Sequence, residues 1–143
     1  MSSFQEAFLS ALKTPSVIRF KDSRLEKIVP KHFYIAIPIS KETSLVLCMI
    51  TSKVDKRFEY ARRMRSVDGL VRVSKQDISC LSVDSVVDCN QASLVSNKSG
   101  IRTWMNPGTL EIIGELTADM RGKVFAAIRK SPVVADAVKK LLP

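Results

Sequence analysis

Phe33-Tyr34-Ile35-Ala36-Ile37-Pro38-Ile39 and, after the polar Ser40-Lys41-Glu42-Thr43, Ser44-Leu45-Val46-Leu47-Cys48-Met49-Ile50 decide the fold. Both runs are rich in β-branched, aliphatic and aromatic residues, and a four-residue turn joins them, which is the pattern of a β-hairpin. Neither run alternates apolar with polar residues, so both strands are expected to be covered on two faces. Pro38 has no N–H to give and must sit where no ladder hydrogen bond is needed.

Working outward, Ser3 and Glu6 have capping-box spacing, and Phe4, Ala7, Phe8, Ala11 and Leu12 follow at helical intervals up to Thr14-Pro15. Residues 16–30 show no clear period and read as loop with at most one short edge strand. The stretch Lys53–Arg65 reads first as a loop; nothing in it breaks a helix, so a short helix is the second reading. Gly69–Val73, Ser85–Cys89 and Ala92–Val95 read as further strands, with turns at Asn97–Gly100 and Trp104–Gly108. Leu110–Ile113 is a last strand or a helix start. Thr117 caps a helix reaching about Lys130, and Ser131-Pro132 opens a final short one carrying Val133, Val134, Ala137, Val138, Leu141 and Leu142. The whole is α+β, mainly β, with several short strands at the spacing of a small barrel and helices at both ends.

A chain of 143 residues with 45% hydrophobic residues fills one core, so residues 1–143 are read as a single domain. No apolar run is long enough to span a bilayer, and Met1–Glu6 has no basic start or apolar stretch, which reads as cytoplasmic. Cys48, Cys80 and Cys89 lack metal-ligand spacing, and with one histidine they make no credible zinc set; no cofactor is expected.

The formal charge is +9, and it is unevenly placed. Residues 1–75 hold 15 Lys or Arg against 7 Asp or Glu, whereas residues 76–143 hold 8 against 7. No lysine or arginine occurs from Gln76 to Asn97. Such a charge calls for an acidic partner or an electrostatic role, and its distribution predicts an electrostatically two-sided molecule. The densest cluster is Lys53, Lys56, Arg57, Arg62, Arg63 and Arg65, interleaved with Phe58 and Tyr60. That composition suits single-stranded RNA, where phosphates pair with cations and bases stack on rings; a solvated charged loop is its plain alternative. Trp104, in a turn, is read as covering one end of the core.

Three segments together resemble the MazF/PemK-like toxin family. They are the hairpin ending in Met49-Ile50-Thr51-Ser52, the segment Leu81–Val95 with its Ser-x-Val core, and Ile113-Gly114-Glu115-Leu116-Thr117-Ala118-Asp119-Met120 with Val124 and Ala127-Ile128. They span about residues 31–130, which leaves residues 1–14 and 131–143 as flanking helices. The resemblance implies an SH3-like barrel, ribosome-independent and metal-independent endoribonuclease activity on single-stranded RNA, a homodimer, and an acidic antitoxin as partner.

Family members have an Arg-Pro pair before the first core strand, and that arginine works with the strand-end threonine on the scissile phosphate. Here the matching residues are Lys31-His32, and the glycine-rich approach to them is missing. The resemblance thus makes Lys31, His32, Thr51 and Ser52 the catalytic candidates. Either Lys31 and His32 have taken over phosphate binding and proton transfer, or a barrel without chemistry serves as a basic module for nucleic acid or an acidic protein.

The residues themselves allow the first reading. Cutting RNA through its 2′-hydroxyl needs a base, an acid and cations around the charged phosphorane. His32 is the only side chain whose ordinary pKa suits either proton-transfer role near neutral pH. A half-exposed surface histidine is the other reading of His32, and a simple strand end the other reading of Thr51-Ser52.

Overall fold

The computed structural model describes residues 11–21, 32–39, 44–96 and 109–143. Six antiparallel strands form one sheet: β1 (Ser16–Phe20), β2 (His32–Ile39), β3 (Ser44–Thr51), β4 (Leu70–Val73), β5 (Ser85–Ser96) and β6 (Glu111–Glu115), in the spatial order β4-β5-β3-β2-β1-β6. The hairpin is central, with Phe33 opposite Ile50 and Ile39 opposite Ser44. The sheet is open among the described residues, with β4 and β6 at its edges, so the architecture is α+β and mainly β without barrel closure.

Both faces of the hairpin are covered, as continuous apolar runs require. On one face Ile35, Ile37, Val46, Cys48 and Ile50 pack with Met120, Val124, Ala127 and Ile128 of helix α2 (Ala118–Lys130). On the other, Tyr34, Ala36, Leu45 and Leu47 pack with Leu12, Ile18 and Phe20, and the Phe20 and Tyr34 rings stack 4.5 Å apart. Pro38 lies beyond the end of β1, whose pairing with β2 stops at Ala36, so one side of it carries no ladder. Cys48 and Cys89 are buried and Cys80 is half-buried, all three as free thiols.

Four expectations need correction. Residues 16–20 form β1, which lies between β2 and β6 and is no edge strand. The basic stretch is helix α1 (Val54–Arg63), in which Ala61 is buried. The two strands read at 85–89 and 92–95 are one strand, β5, whose pairing with β3 jumps from Met49–Asp88 to Leu47–Ser93. The final helix is only α3 (Asp136–Lys139) and does not start at Pro132. Instead the Ser131 hydroxyl accepts the Val133 and Val134 amides and donates to Asn90 Oδ1 at 2.6 Å. Asn90 Nδ2 donates in turn to the Ser66 carbonyl at 2.8 Å, which ties the end of α2 to β5 and to the turn after α1.

The helix expected from Thr117 is present, with Thr117 Oγ1 accepting the Met120 amide at 3.2 Å. The segment read as strand or helix at 110–113 is β6, joined to β1 by an Arg19–Glu111 ion pair of 2.6 Å. The N-terminal helix up to Ser10, the turns at Asn97–Gly100 and Trp104–Gly108, and Lys31 lie outside the described residues.

A candidate nucleic-acid site at the open end of the hairpin

The register that faces Phe33 with Ile50, continued by one residue, brings His32 at the start of β2 opposite Thr51 at the end of β3. A cavity of about 240 Å³ opens there, lined by His32, Thr51, Ser52 and Lys53 from the hairpin end and by Leu81, Ser82, Val83 and Ser85 from the approach to β5. Phe33 and Ile50 complete its lining. Three of the four candidates for chemistry, His32, Thr51 and Ser52, therefore share one pocket.

The hydroxyls and the imidazole of this lining differ in their bonding. Thr51 Oγ1 accepts the Lys53 amide at 3.2 Å, which orients the side chain and leaves its O–H to donate outward. The Nε2 atom of His32 is buried and has no hydrogen-bond partner among the described residues. A buried polar atom without a partner costs free energy, and sites meant to receive another group are where that cost is tolerated. Lys53 and Ser52 are exposed at the rim, and among the described residues no carboxylate lines the cavity.

Helix α1 leaves this rim directly after Lys53 and starts without a side-chain cap, so its first amides and its positive dipole end are uncapped beside the pocket. Its two sides differ. Lys56, Tyr60, Arg62 and Arg63 are exposed, and none of their charges is in an ion pair among the described residues. Arg57 and Phe58 are half-buried. Arg57 Nη1 meets Asp88 Oδ2 at 3.0 Å, its Nη2 reaches Met49 Sδ at 3.9 Å, and the Arg72 guanidinium lies 4.1 Å over the Phe58 ring.

Asp88 is only 4% exposed. Burial pushes its carboxyl above the usual carboxylate value, against the pull of Arg57 and of the Asn90 and Gln91 amides. Arg57 thus compensates a buried acid, and Asp88 is the residue that sequence reading missed. Its sign was visible as an acid within an apolar strand, Ser85-Val86-Val87-Asp88-Cys89, but its partner across 31 positions was not.

The helix ends at Arg63, and two residues further on Arg65 lies in the left-handed region at φ 54°. There the Ser66 amide bonds the Ala61 carbonyl and the Arg65 amide bonds the Arg62 carbonyl, a reversal that most often uses glycine. Among the described residues no helix is long and apolar enough to cross a membrane, and no group of His, Cys, Asp or Glu could hold a metal ion. No protein-family model matches this chain, and no curated protein matches it.

Proposed function

We propose that this protein is an endoribonuclease acting on single-stranded RNA at the open end of the β2–β3 hairpin. One observation carries the reading: a histidine with an unpartnered nitrogen, two hydroxyls and a lysine line one pocket that runs onto the uncapped end of a basic helix. RNA phosphates follow Lys53, Lys56, Arg62 and Arg63, and Tyr60 offers a ring to one base.

With its ring turned so that Nε2 meets the RNA, His32 takes the 2′-hydroxyl proton, and the protonated imidazole, directly or through water, gives a proton to the leaving 5′-oxygen. The 2′-oxygen attacks phosphorus, the bond to the 5′-oxygen breaks, and the ends left are a 2′,3′-cyclic phosphate and a 5′-hydroxyl. Lys53 and the Thr51 and Ser52 hydroxyls balance the charge on the phosphorane. The resemblance to MazF/PemK-like toxins supports this reading and adds an acidic antitoxin that would cover the outer side of α1, together with a homodimer.

The test is incubation of the purified protein with a long unstructured RNA in chelator. Discrete fragments with cyclic phosphate ends, lost in His32→Ala and reduced at least tenfold in Thr51→Ala, are the expected result. Salt-sensitive RNA binding without fragments would remove the enzyme and leave the second reading, a binding module for nucleic acid or an acidic protein. That reading is favoured by the free cations of α1 lying on its outer side, where they need no catalytic pocket.

A further inference from the structure

The pocket is lined by two unlike segments of the chain, and the difference matches the two halves of a nucleotide. One, the hairpin end, holds its lysine, its histidine and the Thr51-Ser52 hydroxyls. The other contributes Leu81, Ser82, Val83 and Ser85 to the lining, with the exposed Asp84 between the last two, and belongs to the 22 residues from Gln76 to Asn97 that contain no lysine or arginine. Leu81 and Ile50 are buried at its floor, and Phe33 presents an aromatic ring. Ser85 Oγ is already engaged with the Val83 carbonyl at 3.1 Å, so the wall's exposed hydroxyl is that of Ser82.

A phosphate would find no countercharge on this second wall. A nucleobase, flat, uncharged and edged with donors and acceptors, would find apolar contact and a hydroxyl able to donate or accept. The volume, about 240 Å³, is below the roughly 300–1,000 Å³ typical of a drug-sized ligand and suits one ring system. We infer that Leu81, Ser82 and Val83 select the base at this site, with Ser82 reading the base edge, Val83 limiting its size, and the neighbouring Asp84 carboxylate turning phosphates toward the lysine. This rests on the ribonuclease reading above.

The test measures binding of four homopolymeric RNA tetramers, one per base, with every 2′-hydroxyl methylated so that none is cut. The folded protein should bind the four unequally. Ser82→Ala should change the ratios between bases about two- to tenfold, the weight of one neutral hydrogen bond, and Val83→Trp should exclude the larger bases first. Lys53→Ala should weaken all four alike. Both wall residues are exposed, so circular dichroism should match the parent chain. Unchanged ratios in Ser82→Ala and Val83→Trp, with uniform weakening in Lys53→Ala, would overturn the base wall and leave the RNA reading standing. No binding of any tetramer by the folded parent chain would overturn both.

Discussion

The two sides of helix α1 carry the same residue types to opposite ends. On the inner side Arg57 faces a buried carboxylate of β5 and Phe58 lies under Arg72 of β4, so a cation and a ring hold the helix to those two strands. On the outer side Lys56, Arg62, Arg63 and Tyr60 face solvent, with Tyr60 53% exposed. Composition cannot separate the two groups, because helical periodicity interleaves them every three or four residues. A charge cluster becomes a binding surface only after the charges used for folding are subtracted.

The largest test of that division is Arg57→Met. It leaves the Asp88 carboxyl buried without its cation, and a loss near the lower end of roughly 3–5 kcal/mol is expected from urea unfolding at neutral pH. The pH dependence follows from the same residue. Burial raises the folded value of Asp88 above the unfolded one. The folded state therefore holds the proton more tightly, and the group's stabilising contribution, complete below the unfolded value, is lost as the pH rises through the folded value. Asp88→Asn should remove that pH-dependent loss, seen as a flatter plot of unfolding midpoint against pH. A steeper plot would contradict the assignment.

On the outer side the effects should move to binding. Replacing Lys56, Arg62 and Arg63 together by glutamine should lower the slope of log affinity against log salt for single-stranded RNA by about 2, with stability changed by less than about 0.5 kcal/mol. Loss of stability without change in slope would erase the distinction between the two sides. Tyr60→Ala should weaken RNA binding by about 1 kcal/mol, the low end for a stacked base. Arg65→Gly is the smallest expected change: relief of a left-handed arginine, partly offset by glycine's freedom in the unfolded chain, should stabilise the fold by about 0.5 kcal/mol.

The hairpin was legible because its signal is local and redundant: two apolar runs, a polar turn, and a proline that a pairing limit explains. The Thr117 helix was legible for the same reason, with its cap and its apolar stripe both within 13 residues. β5 was misread as two strands because its facing reverses midway. Val87 and Cys89 lie in one core and Val95 in the other, though strict alternation would put all three on one face. The reversal comes from the extra residues of β5 opposite Cys48, whose presence depends on β3. α1 was read first as loop because its inward side is narrow, with Ala61 its one buried residue. At the site, the meeting of His32 with Thr51-Ser52 followed from antiparallel pairing alone, whereas the Leu81–Ser85 wall, 30 residues further on, needed the tertiary structure.

Arg65 gives that helix end a meaning for protein engineering. A selection for heat resistance alone would replace it with glycine, since its backbone angle is the one glycine accepts most cheaply. A selection for RNA capture should resist the same change if the Arg65 charge takes part. Running both selections on one library would show whether residue 65 is held by the demands of the turn or by what lies beyond the surface.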